Sequence, residues 1–139
     1  MKLHPYLTFN GNCEAAMNFY KDVLDGEITI MSRFDEAPPG EFPIPDFAKK
    51  LIMHLTLEFR GCTIMASDTT EPNKLKMGSN VTLSINADDA DEGVAIFNSL
   101  LDGGQAIMPF QEVFWGGQFG MLVDQFGVQW MVSTNHNPS

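Results

Sequence analysis

The stretch LHPYLTFNGNCEAAMNFYKDVLDGEITIMSRF, residues 3–34, contains three successive patterns of secondary structure. Its first seven residues alternate as in a strand, and Asn10-Gly11-Asn12 follows as a turn in which Asn12 can cap a helix. Apolar residues then recur at helical spacing over 14–24, until Asp25-Gly26 stops the run. Residues 27–34 again favour a strand, so the stretch predicts strand, helix and strand.

The rest of the chain continues as short elements separated by turn signals. The proline-rich segment DEAPPGEFPIPDF, residues 35–47, can sustain neither a helix nor a central strand, so we expect a long loop. Strands are predicted over 51–59 and 62–67, on either side of the hairpin turn Arg60-Gly61. After a second loop, EPNKLKMGS, the predicted elements are a strand at 80–86, a helix at about 90–101, and strands at about 105–114, 119–124 and 128–133.

The second half therefore repeats the element order of the first half, which indicates an internal duplication. Leu7 matches Leu83 at an offset of 76, and Leu24 matches Leu101 at an offset of 77, as one extra residue in the second helix would produce. The last strands match at an offset of 66, for example Gly61 with Gly127. We predict an α+β fold in which two βαβββ modules, about 1–70 and about 79–135, form one domain over residues 1–139.

Composition excludes several classes of protein. The chain has 139 residues, of which 44% are hydrophobic and 19% are charged, so it can bury a core. Its formal charge is −10 and its longest basic cluster is Lys49-Lys50, so we expect no nucleic-acid partner. Its apolar stretches fall far short of the ~20 residues of a membrane span, and we expect a cytoplasmic protein without a membrane partner. Cys13 and Cys62 have no C-x-x-C spacing, which favours reduced, buried thiols.

Three segments carry a resemblance to a known family: PYLTFNGNCEAAMNFY, IMHLTLEFRGCTIMASD and EVFWGGQFGMLVDQFGVQWMV. The chain resembles the PhnB-like branch of the glyoxalase / bleomycin-resistance / extradiol-dioxygenase superfamily, also called vicinal oxygen chelate proteins. Relatives in this branch are often labelled 3-demethylubiquinone methyltransferase-like. The resemblance covers nearly the whole chain, and it implies a glyoxalase-like fold with concave mixed sheets and a homodimer.

In the resembled superfamily each module offers one metal ligand from its first strand and another from its last strand. The corresponding positions here are His4 and Met65 in the first module, and Asn80 and Met131 in the second module. Divalent metals prefer converging imidazole and carboxylate ligands, and His4 alone meets that preference, so we expect no cofactor. A divalent metal held by His4, His54 and Glu58 remains an alternative, because all three side chains share one face of the sheet.

Strand alternation assigns side chains to faces, because successive residues point to opposite sides of a sheet. One row of each strand is apolar, and we expect it to pack under the helices. In the first module these rows are Leu3, Pro5, Leu7 and Phe9, and Met53, Leu55, Leu57 and Phe59. In the second module they are Val81, Leu83 and Ile85, and Val128, Trp130 and Val132. The opposite rows line the cleft and carry His4, Tyr6, His54 and Glu58. His4 and His54 are candidate catalytic bases, while Tyr6 and Glu58 are candidate ligand-binding residues. Alternatively, these histidines only bond neighbouring Thr or Tyr hydroxyls on an inert face.

The segment FWGGQFG, residues 114–120, places large aromatic side chains among glycines, which lets a loop close over an apolar ligand. Trp115 and Phe119 are therefore candidate ligand-binding residues, with core packing or a subunit interface as the alternative. Met65 and Met131 are further candidates because methionine adapts to irregular pockets, with filling of the sheet as the alternative. Asn80, on the polar row of its strand, completes the candidate set. The acidic run 88–92 fits a helix N-terminus better than a metal site.

Two functions follow from these patterns. The first is a small-molecule-binding protein that holds an apolar or aromatic ligand in the sheet cleft without a metal, in a sequestration or resistance role. The alternative is a metal-dependent or His-based lyase, isomerase or dioxygenase that acts on a vicinal-oxygen substrate.

Overall fold

A computed structural model describes residues 1–38, 40 and 43–134 of the chain. The chain forms two compact units, unit 1 (Met1–Lys76) and unit 2 (Met77–Ser139). Parts of the predicted proline-rich loop, namely residues 39, 41 and 42, and the predicted end of the second module at residue 135 lie outside the described residues.

Each unit contains one helix and one four-stranded mixed sheet. The elements of unit 1 are β1 (Tyr6–Phe9), α1 (Cys13–Leu24), β2 (Glu27–Arg33), β3 (Ile52–Phe59) and β4 (Cys62–Asp68). The elements of unit 2 are β5 (Leu83–Ala87), α2 (Ala90–Leu101), β6 (Gln105–Glu112), β7 (Gln118–Val123) and β8 (Gln129–Thr134). The sheet orders are β1-β4-β3-β2 and β5-β8-β7-β6, with the first pair of each sheet parallel and the others antiparallel. The predicted α+β fold of two βαβββ modules is confirmed.

The alignment of the two first strands differs from the prediction. Leu7 pairs with Ala66, and Ile85 pairs with Val132. Ala66 and Val132 are 66 residues apart, so Leu7 corresponds to Ile85 at an offset of 78, and the predicted offset of 76 is wrong. A two-residue slip preserves strand alternation, which is why apolar identities alone did not resolve it.

The proposed extra residue in the second helix is also wrong. Both helices contain 12 residues, and the change of offset arises in the turns that precede them. Three residues, 10–12, connect β1 to α1, whereas two residues, 88–89, connect β5 to α2. In that shorter turn Asp89 accepts a hydrogen bond from the Glu92 N–H at 2.8 Å, which confirms that the acidic run caps the helix.

The first strand of each unit is shorter than predicted. β1 begins at Tyr6, because the Pro5 carbonyl accepts the Met65 N–H at 3.0 Å but proline has no N–H with which to continue the ladder. Leu3 is 96% exposed and Val81 is 71% exposed, so these two residues were wrongly assigned to the core. Both precede the first residue of their strand.

The core of each unit lies between its helix and one face of its sheet. In unit 1 the fully buried side chains include Ala16, Met17, Tyr20, Leu55 and Leu57. In unit 2 the core is built on Phe97, Leu100, Leu122, Trp130 and Val132, which confirms Trp130 as a core residue. Gly120 of β7 is required there, because a Cβ atom would lie 2.9 Å from the Phe110 Cα and 2.7 Å from the Phe97 ring.

A buried carboxylate organises unit 1. Asp68, at the end of β4, is 3% exposed and accepts the N–H of Cys13 and the N–H of Ile52, each at 2.9 Å. These two bonds connect the start of α1 and the start of β3 to the end of β4. The Asn12 side chain, which was predicted to cap α1, makes no capping hydrogen bond, and Asp68 satisfies the Cys13 N–H instead.

The two cysteines are free, and they differ in environment. Cys13 is fully buried, and burial raises the pKa of its thiol to about 12, with further contributions from the charges of Asp68 and Glu14. The thiol therefore stays protonated at neutral pH, and an inert structural role fits it. Cys62 is exposed because it begins β4 directly after the hairpin turn, so the expectation that both thiols are buried is wrong for Cys62.

Replacement of Asp68 tests its organising role. Asp68→Ala leaves two amide N–H groups without their acceptor, so we expect the free energy of unfolding to fall by about 2–5 kcal/mol. Urea denaturation followed by circular dichroism measures this loss. Asp22→Ala is the matched control, because Asp22 lies on the exposed surface of α1 with its side chain 78% exposed, and its effect should stay within about 0.5 kcal/mol. Equal losses in the two variants would contradict the role assigned to Asp68.

Candidate functional site

The sheet face of unit 1 that points away from α1 presents a line of four cross-strand partners. Ile30 pairs with Thr56, Thr56 pairs with Met65, and Met65 pairs with Tyr6. Directly paired residues share a face, so these side chains lie side by side across all four strands. His54, two residues before Thr56 on β3, lies on the same face. We call the surface formed by Tyr6, Ile30, His54, Thr56 and Met65 the Tyr6 face.

The Tyr6 face contains a continuous hydrogen-bonded chain. The Tyr6 hydroxyl lies 3.1 Å from His54 Nδ1, and His54 Nε2 lies 2.9 Å from Thr56 Oγ1. The Tyr6 and His54 ring centroids are 5.8 Å apart with an interplanar angle of 36°. Thr56 is buried, His54 is half-buried, and Tyr6 is 49% exposed. The hydrogen-bonded chain therefore runs from a buried hydroxyl to an accessible phenol.

The direction of hydrogen bonding in this chain is set by the His54 tautomer. A neutral imidazole donates from one ring nitrogen and accepts at the other. If His54 carries its proton on Nδ1, it donates to Tyr6 and leaves the phenol proton for a ligand. If the proton is on Nε2, His54 donates to Thr56 and accepts the phenol proton instead. The same three residues can therefore present Tyr6 as a donor or as an acceptor.

The structure places His4 and Glu58 elsewhere on unit 1. Both line a pocket of about 520 Å³ next to the Arg60-Gly61 turn. Glu58 lies four residues from His54 along β3, which is about 13 Å. The two candidate catalytic histidines are thus in different environments, and only His54 belongs to the hydrogen-bonded chain.

The residues of unit 1 do not fit the metal ligand set that was considered as an alternative. Zinc and similar ions need ligand atoms within about 2.0–2.3 Å of one point, whereas His54 and Glu58 are far apart on their strand. Both ring nitrogens of His54 also have hydroxyl partners. Among residues 1–38, 40 and 43–134, no group of three His, Cys, Asp or Glu side chains could hold a metal ion.

The sheet face of unit 2 presents a different line of partners. Met108 pairs with Met121, Met121 pairs with Met131, and Met131 pairs with Ser84. Phe119 stands two residues before Met121 on the same face of β7. We call the surface formed by these five residues the methionine face. Met108 is 38% exposed, and Met121, Met131 and Phe119 are half-buried.

Aromatic side chains from the turn before β7 adjoin this face. The Trp115 and Phe119 ring centroids are 5.9 Å apart at 65°, and those of Phe114 and Trp115 are 4.9 Å apart at 87°. Trp115 is 62% exposed, while Gly116 and Gly117 both have positive φ angles that suit glycine. The turn therefore carries Trp115 next to Phe119 and leaves much of the indole accessible.

Sequence reasoning missed two members of the methionine face, Met108 and Met121. Register irregularities interrupt β6 on both sides of Met108, so simple alternation along the predicted strand does not assign its face. Alternation along β7 from Phe119 does place Met121 on that face. Asn80 is exposed and precedes the first residue of β5. At the offset of 78, the residue of unit 2 that corresponds to His4 is Thr82 rather than Asn80.

In the part of the chain that the structure describes, neither helix is long and apolar enough to cross a membrane.

The two βαβββ units define a protein of glyoxalase-like fold. A glyoxylase/bleomycin resistance protein/dioxygenase domain from Frankia sp. EAN1pec shares this fold, with a TM-score of 0.70 at 12% identity over 100% of this chain and 94% of that chain. Protein PA1353 from Pseudomonas aeruginosa matches with a TM-score of 0.88 at 35% identity, covering 99% of both chains. The class shown by these likenesses is that of proteins with a glyoxalase-like fold.

Within that class, a family model described as 3-demethylubiquinone-9 3-methyltransferase matches residues 1–133. The chain belongs to this family, and a solved relative described as a PhnB protein supports the PhnB-like resemblance. A putative 3-demethylubiquinone-9 3-methyltransferase, PhnB protein, from Bacillus cereus is 28% identical, with a TM-score of 0.81 over 96% of this chain and 99% of that chain. Protein YjdN from Escherichia coli K12 is 34% identical, covering 96% of this chain and 95% of the relative.

The hydrogen-bonded chain of the Tyr6 face can be tested by isosteric substitutions. Tyr6→Phe removes the partner of His54 Nδ1, and Thr56→Val removes the partner of Nε2. We expect the ¹⁵N resonance of the corresponding ring nitrogen to shift in each variant. Thr8→Val, an exposed hydroxyl on the same sheet, should leave both resonances in place. Unchanged His54 resonances in both Tyr6→Phe and Thr56→Val would contradict the two hydrogen bonds.

Proposed function

We propose that this protein binds a small organic molecule with an apolar or aromatic body on the methionine face of unit 2. The observation that carries the proposal is the cross-strand line Met108, Met121 and Met131, continued by Phe119 and the accessible Trp115. A surface of this kind offers apolar area and ring edges within one sheet face. Binding alone suits sequestration or resistance and requires no catalyst.

Thioether and aromatic side chains favour an aromatic ligand. Methionine is unbranched and polarisable, so it conforms to a ligand's shape, and sulfur–aromatic contacts contribute about 0.3–1.5 kcal/mol each. Ring-to-ring contacts with Trp115 or Phe119 add about 0.5–1.5 kcal/mol beyond the area they bury. Ligand pockets combine such an apolar lining with a few polar groups that fix orientation. The methionine face has such polar groups beside it. Ser84 pairs with Met131, Gln111 and Ser133 pair with Phe119, and Asn86 pairs with Ser133.

This proposal includes binding without a metal. The forces that hold the ligand are dispersion, apolar burial and neutral hydrogen bonds, all of which the side chains of the methionine face supply. Methyl transfer, named in the description of the family, does not enter the proposal. The turn between β1 and α1 has a single glycine, Gly11, whereas turns that hold nucleotide-like cofactors are glycine-rich. The cytoplasmic homodimer expected from sequence also stays a proposal.

A second candidate function is acid–base catalysis at His54. The Tyr6–His54–Thr56 chain favours it, because an imidazole held between two hydroxyls can pass a proton to an accessible phenol. The same bonds also satisfy a histidine that has no catalytic role. The two candidates differ in which face they use, so substitutions in one unit separate them.

Ligand binding is tested by the tryptophan fluorescence of the protein, in which Trp115 is accessible and Trp130 is buried. One- and two-ring aromatic compounds are screened for saturable quenching, and calorimetry then gives the affinity for each variant. Met121→Ala removes apolar contact area from the centre of the face, and we expect about tenfold weaker binding, which corresponds to about 1.4 kcal/mol. Trp115→Ala should weaken binding by a similar factor.

Met31→Ala is the matched control, because Met31 is a 43% exposed methionine of unit 1 outside the methionine face. It should bind with the wild-type affinity, and so should His54→Ala. If a screened compound is turned over by the wild type, and His54→Ala loses that turnover but keeps the affinity, the second candidate is supported. Compounds that bind Met121→Ala and Trp115→Ala as tightly as the wild type would contradict the proposed site.

A further inference from the structure

Unit 1 contains a pocket that the proposed function does not use. It lies beside the turn that connects β3 to β4 and has a volume of about 520 Å³. Its lining includes Lys2, His4, Glu58, Arg60, Gly61 and Thr63. Two side chains in it carry fixed positive charge, and His4 and Thr63 add hydrogen-bonding groups.

The lining of this pocket carries more positive than negative charge. The protein has eight Lys and Arg residues against eighteen Asp and Glu residues, and two of those eight line this one pocket. Glu58 is the single acidic residue in the lining. An anionic group that enters the pocket therefore meets more positive than negative charge, although the protein as a whole is strongly acidic.

Arg60 occupies a backbone position that does not favour arginine. Phe59 pairs with Cys62, so Arg60-Gly61 is a two-residue hairpin turn, and its φ angles are +47° and +80°. Such turns need positive φ at both residues and prefer Asn-Gly. The Gly61 position follows this preference, while Arg60 is placed in the left-handed region at a conformational cost. Strained residues of this kind are concentrated at functional sites.

We propose that this pocket binds the oxyanion group of a small organic acid or phosphate ester. The Arg60 guanidinium and the Lys2 ammonium group donate to the oxyanion, because charge-assisted hydrogen bonds to carboxylate or phosphate are the strong ones. Thr63 and His4 supply further polar contacts. Glu58 accepts a hydrogen bond from a hydroxyl or amino group on the same molecule. The pocket belongs to unit 1 and its ligand is independent of the methionine face.

Backbone NMR of the full chain tests the proposal with sodium lactate and sodium phosphate as probes. At constant ionic strength, each probe should shift the amide resonances of Gly61 and Thr63 saturably. Methyl lactate, the neutral ester, should not. Tighter binding of lactate identifies a hydroxy acid as the ligand class, and tighter binding of phosphate identifies a phosphate ester. Either result supports an oxyanion site.

Two substitutions at Arg60 separate charge from folding. Arg60→Asn removes the guanidinium and leaves the residue type that this turn prefers, so the thermal midpoint should be unchanged or higher, while oxyanion affinity should fall by about tenfold or more. Arg60→Lys keeps the charge and should retain part of the affinity. Lys76→Gln, with the same change of charge outside the pocket, should bind as the wild type does. The proposal is overturned if neither probe gives saturable shifts, or if Arg60→Asn and the wild type bind with equal affinity.

Discussion

The buried carboxylate of Asp68 holds together the elements on which unit 1 depends. It receives the first N–H of α1 and the first N–H of β3, although it belongs to the end of β4. The bond to Ile52 anchors the start of β3 against the end of β4, next to the ladder in which Thr56 pairs with Met65 on the face away from α1. The strand that carries His54 and Thr56 therefore begins at a buried hydrogen bond of the core.

Unit 2 also contains a buried carboxylate, Asp124, which is 4% exposed. Its carboxylate accepts the N–H groups of Phe126 and Val128 at 2.8 and 3.0 Å and the indole N–H of Trp130 at 2.8 Å. These bonds close the turn from β7 to β8 and orient the largest core side chain of the unit. The two units share their element order, but their sheet faces differ in composition. The Tyr6 face presents tyrosine, histidine and threonine, whereas the methionine face presents methionine and phenylalanine.

Much of this architecture could be predicted from sequence. The element order, both helices and the Arg60-Gly61 turn followed from periodicity and turn chemistry, which are local properties. Register did not follow, because Leu7 fits Leu83 and Ile85 equally well on apolar character, and only the ladder with β8 decides between them. The bond from His54 to Thr56 is local in sequence, but the bond from Tyr6 to His54 joins β1 to β3 with β4 between them. Met108 was missed because the irregular pairing of β6 breaks the alternation that assigns faces.

The proposed binding of an organic ligand uses hydrogen bonds and apolar contact, and it requires no metal. Its most direct test is the elemental metal content of untagged protein purified without chelators, measured again after exposure to nickel, manganese, iron and zinc. His4→Ala serves as the control, because the sequence resemblance places His4 where the resembled superfamily has a metal ligand. We predict far less than one metal ion per chain under every condition, with no difference between the wild type and His4→Ala. Near-stoichiometric metal in the wild type that is lost in His4→Ala would contradict the account.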